Sequence, residues 1–254
     1  MRLLIPCLAL WSLLFFARSW RERPKEMESP HFRISYYGLS KKDAKVLLDT
    51  LEQNRQRIMD HLGAREMPRV EVRFLTAAEV EERWTPIAES GGLTFEIKGL
   101  TVGRDEIHIN GPWALKNRKG ALRPVVVHEL AHLVTLAAAY GLGVRPTAEE
   151  EKRNFAGLRR RWLWEAVACY EAGQSSDLRR LDYIRNGDFP TLSDLDRPSD
   201  SRIYQLGYSL IAYVESRWGG DAVARLVRAQ GDIPAALGIS EEEFEEGWRG
   251  TLTP

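Results

Sequence analysis

The chain predicts an α+β fold, with a small mixed β/α lobe first and a mainly helical lobe after it. Three observations predict it. Short alternating apolar runs suited to half-buried strands lie before residue 110, whereas the longer apolar runs after it have helical spacing. The 254 residues are 44% hydrophobic and 28% charged, enough chain for a full core in one two-lobed domain.

The first residues read as a targeting segment. Arg2 supplies a positive start, Leu3 to Ala17 an apolar run, and Ala17-Arg18-Ser19 a small-x-small cleavage site. Fifteen apolar positions are short for a membrane span, so export through a signal peptide at 1–19 is expected, with a retained membrane anchor the alternative. Residues 20–30 follow as a charged linker. The domain then occupies 31–254, with its β-rich lobe at about 31–120 and its helical lobe at about 121–254.

Each element has a local cause. HFRISYY at 31–37 alternates as a strand does. Ser40 caps a long amphipathic helix that ends near Leu62 at Gly63. Val70 to Leu75 is a second strand, Thr76 to Trp84 a short helix, and Leu100 to Val102 with Glu106 to Ile109 a hairpin through Gly103-Arg104-Asp105. Pro124 suits the first turn of a helix running to about Tyr140. Tyr140 to Arg160 is a charge-rich connection, Arg161 to Ala172 a helix ended by Gly173, and Ser175 to Asp200 mostly loop. Ile203 to Trp218 and Ala222 to Ala229 are helices, and Ser240 with Glu243 makes a capping box for the last one, whose inner face carries Phe244 and Trp248.

Net charge is zero, and no long basic stretch occurs beyond Arg159 to Arg161, which argues against a nucleic-acid partner. Cys7 has no suitable lipidation context. Once the leader is removed Cys169 alone remains, so no internal disulfide is expected.

The chemistry concentrates in His128-Glu129-Leu130-Ala131-His132, an HExxH pattern. On a helix, positions i and i+4 lie about 40° apart, so His128 and His132 can share one Zn²⁺. Glu129 is turned about 100° from His128, which suits a proton acceptor for a water beside the metal rather than a ligand. Val125, Ala131 and Thr135 share the histidine face and are small enough to admit another element.

A catalytic zinc site needs a third protein ligand. A metzincin would have glycine at 135 and histidine at 138, where this chain has Thr135 and Ala138. Glu165 is the better candidate, because Ala168, Cys169 and Ala172 flank it on one helix face and leave room for close docking. The competing acids are Glu149, Glu150 and Glu151, which form a hydrophilic run, and Glu171, which points elsewhere on the helix.

HELAH followed by WLWEAVA resembles the gluzincin pattern of thermolysin-like and aminopeptidase-N-like metallopeptidases, and resembles the small peptidase MA-like proteins most closely. The similarity spans most of the chain. It implies a zincin-like fold with an active-site cleft between the lobes, a single zinc ion on His128, His132 and Glu165, and Glu129 as general base acting on a zinc-activated water. The resemblance also implies an oxyanion donor from Tyr204-Gln205-Leu206-Gly207, namely Tyr204, with Tyr208 the alternative and core packing open for both. Two departures stand out: 32 residues separate His132 from Glu165, a longer connection than in better-known gluzincins, and Ala166 replaces the commoner glycine.

The expected activity is therefore an exported zinc metallopeptidase acting on a peptide or protein substrate. The alternative is a non-catalytic zinc-bearing binding or scaffold protein, possibly membrane-anchored. The strand Glu106 to Ile109 is expected to receive an extended peptide backbone, with His108 an ordinary alternating residue. His31 and His61 carry no signal.

Overall fold

The computed structural model describes residues 23–90, 92–93, 95–117, 120–141 and 160–252. The expected leader, the triad Glu149 to Glu151 and nearly all of the charge-rich connection lie outside the described residues. Among those described, five strands form one mixed sheet ordered β1-β2-β3-β5-β4.

Strand β1 (Lys25–Glu28) lies inside the stretch expected to be a linker. Its charges are cross-strand ion pairs: Arg33 of β2 (Phe32–Tyr36) meets Glu26 at 3.3 Å and Glu28 at 3.1 Å, and Arg69 meets Glu28 at 2.8 Å. This edge strand reads like a linker because three of its four side chains, all charged, are exposed, and Met27 alone packs on the core. Strand β2 runs parallel to β3 (Val70–Leu75), with Phe32 opposite Val70 and Ile34 opposite Val72, all four fully buried. Helix α1 (Lys41–Leu62) makes the crossover between them. It starts at Ser40, which accepts from Asp43 N, and stops at Gly63, whose φ of 72° lets its N–H turn back to Met59 O.

A capping box between Thr76 and Glu79 opens α2 (Ala77–Ser90), which runs past the expected end at Trp84 and through Pro86. The hairpin of β4 (Gly99–Val102) and β5 (Glu106–Asn110) forms as expected, with Val102 opposite Glu106. Asn110 then caps a short helix, α3 (Gly111–Lys116), which sequence patterning did not anticipate.

Helix α4 (Leu122–Tyr140) carries HELAH. It begins two residues before Pro124, which still falls in the first turn where no intrahelical N–H is needed. It packs on α1, β4 and α5 (Arg161–Glu171), and so is buried on nearly every side. By length and composition it is, among the described residues, the one helix apolar enough to cross a bilayer, but two-thirds of it (67%) is buried in the core.

The stretch from Ser175 to Asp200, expected as loop, holds a 3-10 turn (Leu178–Arg180), α6 (Asp182–Arg185) and α7 (Leu192–Leu195). All are too short to leave a periodic signal. Four helices complete the chain: α8 (Ile203–Trp218), α9 (Asp221–Arg228), α10 (Ile233–Leu237) and α11 (Glu241–Leu252). The Ser240–Glu243 box opens α11, and Phe244 and Trp248 are both fully buried, as the pattern predicts. One continuous apolar core joins sheet and helices, from Phe32 and Val72 through Leu130 and Trp162 to Leu210 and Trp248. Cys169 is buried within it as a free thiol.

Candidate metal centre

Helix periodicity aims the two histidines of α4 at α5. Their Nε2 atoms lie 3.2 Å apart, and Glu165 Oε2 of α5 sits 3.2 Å from His128 Nε2 and 3.7 Å from His132 Nε2. Two ligands about 2.0 to 2.1 Å from a tetrahedral ion would be about 3.4 Å apart, so the three donor atoms have the spacing of one coordination shell. All three side chains are largely buried, and together they could hold a metal ion. Glu165 Oε2 is buried and receives no hydrogen bond, an arrangement that a cation would relieve.

Helix α8 explains how Glu165 is held. Gly207 lies against Ala166 so closely that a β-carbon there would be 2.9 Å from Ala166 Cα. That contact brings Tyr204, one turn earlier, over the site. Its hydroxyl is 3.3 Å from Glu165 Oε1, and its ring lies 6.2 Å from that of His128 and 5.5 Å from that of Phe95. Tyr208 packs instead on Tyr170, with ring centroids 4.9 Å apart, so of the two tyrosines the one at the centre is Tyr204.

Four residues around the centre left no sequence signal. Gln174 Oε1 accepts from His128 Nδ1 at 2.9 Å, which fixes the tautomer that turns Nε2 inward. The end of α5 puts it there: Gly173, at φ 64°, turns the chain so that Gln174 N reaches Cys169 O at 2.8 Å. Arg161, on the turn before Glu165, donates to the carbonyls of Leu195, Arg197 and Asp200 at 3.0 to 3.3 Å, and to the Tyr204 hydroxyl at 3.4 Å. Thr101 donates to the Glu129 carboxyl at 3.1 Å, and Gly99 gives that carboxyl its space.

Electrostatics sort the groups by role. Burial works against ionisation of Glu165, yet His128, His132 and Arg161 hold its carboxyl down at about 2. Burial pushes His132 down to about 4, so it stays neutral near pH 7. Burial also opposes a proton on His128, but Cys169 and Glu165 outweigh it and raise its pKa. Of the two imidazoles, His128 is therefore the one whose protonated form its neighbours favour. Glu129, which faces β4, is pushed up to about 7, chiefly by burial.

Other expected positions lie elsewhere. Glu171 faces away from the centre and binds Arg57 and His61. His108 bonds Glu106 at 2.9 Å and His31 bonds Glu52 at 2.8 Å. The strand expected to receive a peptide, β5, cannot do so, because it is hydrogen-bonded to β3 on one side and β4 on the other. Among the described residues, the open edge next to α4 belongs to β4, which has β5 as its one neighbour. Comparison of the sequence with family models finds no match. Comparison with the curated proteins likewise finds none.

Proposed function

We propose that this chain is a zinc metallopeptidase of zincin-like architecture, exported by its apolar N-terminal run and resembling gluzincins. The observation that carries this reading is the convergence of His128, His132 and Glu165 on one shell, with the buried carboxyl of Glu129 one residue along the same helix and held by Thr101. Two imidazoles and one carboxylate suit zinc, and three protein ligands leave a coordination position open for chemistry. A zinc ion held there would polarise a carbonyl and lower the pKa of a neighbouring water.

The chain's own residues divide the remaining work. Glu129 is poised to take a proton near neutral pH and to return it to a leaving amine. Tyr204 keeps its hydroxyl protonated, because burial and the Glu165 charge raise its pKa well above the ordinary value. It can therefore donate to an oxygen as negative charge develops on it. Gln174 and Arg161 orient, respectively, a histidine and the tyrosine. An extended substrate backbone would pair with the free edge of β4.

The test joins elemental analysis with cleavage of a diverse peptide library. Wild type is expected to hold one zinc per chain and to cleave peptides, and Glu165→Ala to lose the metal. Glu129→Gln should keep zinc and lose activity by about a hundredfold or more. A zinc-free wild type, or a fully active Glu129→Gln, would sink the proposal. Zinc without turnover would leave a metal-bearing binding protein.

A further inference from the structure

The edge strand β4 packs along the HELAH helix, and two of its residues converge on Glu129. Thr101 Oγ1 lies 3.1 Å from Glu129 Oε2 and 3.1 Å from the Glu129 backbone carbonyl, with the threonine 5% and the glutamate 6% exposed. Two residues earlier on the same face of the strand, Gly99 lies under the other carboxyl oxygen. A β-carbon at Gly99 would fall 2.6 Å from Glu129 Oε1, 2.7 Å from Cγ and 2.9 Å from Cδ.

Glycine is not needed at position 99 for its backbone, since φ there is not in the left-handed region. What the position lacks is volume. One carboxyl oxygen is thus fixed by a hydrogen bond and the other by an empty place in the strand, both supplied by β4.

We propose that Gly99 and Thr101 are positioning residues that set the rotamer of Glu129, so that the strand offering the free edge also aims the general base. This rests on the peptidase reading for its catalytic consequence and on geometry alone for its structural one. The one Thr101 hydroxyl proton is shared between the Glu129 carbonyl and Oε2, whereas a buried hydroxyl in search of any acceptor would be satisfied by the carbonyl alone. That need explains neither the second contact, to Oε2, nor the glycine.

The role has a mechanical result. A group entering along β4 presses on the same backbone that holds the carboxyl, so occupancy of the edge and alignment of the base are coupled. Loss of a residue that aligns a base without touching substrate lowers turnover more than it weakens binding.

The test uses Thr101→Val, Thr101→Ser and Gly99→Ala in the full-length, zinc-loaded protein, with zinc content, Tm, kcat and KM measured and each variant crystallised. Thr101→Val preserves shape and removes the hydroxyl. Its kcat is expected to fall by about tenfold to a hundredfold, with KM within about twofold and zinc content unchanged. Thr101→Ser should restore most of kcat.

The crystal structures should show Glu129 displaced or in more than one rotamer in Thr101→Val and in Gly99→Ala, and in its single wild-type rotamer in Thr101→Ser. The inference is overturned if Glu129 keeps its wild-type rotamer in both Thr101→Val and Gly99→Ala, or if Thr101→Val loses activity only through zinc or Tm. If wild type binds zinc yet cleaves nothing, the peptidase reading fails, while the Glu129 rotamers still decide the positioning role.

Discussion

Gly207 of α8 and Ala166 of α5 touch backbone to backbone, and Ala166 adjoins the carboxylate that completes the candidate metal centre. A side chain at 207 must force the helices apart by more than neighbours in a close-packed core can yield. Gly207→Val should cost about 1–3 kcal/mol, read as a lower urea midpoint. It should also weaken metal retention, because Glu165 and Tyr204 move with their helices. Metal retention equal to wild type would show that the contact serves stability alone.

Metal affinity should fall as the solution is acidified. In the metal-free centre the imidazole pair holds a proton, since the pKa of His128 is raised, while Glu165 is ionised down to about 2. An incoming ion must displace that proton. Below the raised value the affinity should drop by about tenfold per pH unit, and above it the curve should flatten. Competition with a chelator across pH measures this slope. A flat profile would mean that the centre binds no proton in exchange.

Behind the metal centre, His61 bridges two carboxylates. Its Nδ1 meets Glu171, its Nε2 lies 2.8 Å from Glu215, and Arg57 holds Glu171 at 2.6 Å while Tyr170 donates to Glu215. Burial opposes its protonation, but the two acids win and raise its pKa above the ordinary 6.5. Its stabilisation is therefore complete below pH 6.5 and is lost as pH rises through the raised value. His61→Gln should cost about 1 kcal/mol at pH 6 and less at pH 9. Equal losses in Tm at both values would show that the charge on His61 is irrelevant.

Arg161 ties the turn between α7 and α8 to the helix that carries Glu165. Arg161→Met would leave the carbonyls of Leu195, Arg197 and Asp200 without the donor they share, and should cost about 2–4 kcal/mol in urea unfolding. Tyr204→Phe should be milder on stability, leave metal content unchanged and reduce turnover by about tenfold or more. If turnover in Tyr204→Phe equals wild type, Tyr204 is a packing residue.

The sequence made the centre legible where chemistry and helix periodicity coincide. HELAH needs only the spacing of one helix, and Glu165 stands out because small residues surround it on one face. Thr101 and Gln174 were illegible for the opposite reason. They meet Glu129 and His128 across separations of 28 and 46 residues, and nothing local marks them. Strand β1 was lost among its own charges, whose partners Arg33 and Arg69 lie on another strand and a loop. The receptive strand was misplaced because alternation identifies a strand but says nothing of its neighbours, and β5 proved to be interior.

The order of the sheet carries one more consequence. The proposed metal ligands sit on helices buried in the core, whereas the Glu129 carboxyl leans on a four-residue strand that, among the described residues, is paired along one side only. Outer strands open by local fluctuations that cost far less than global unfolding, while core helices exchange their amides only when the whole fold gives way. Mild denaturant or heat should thus disarm the base in molecules that still hold their metal and their shape, so that inactivation precedes melting.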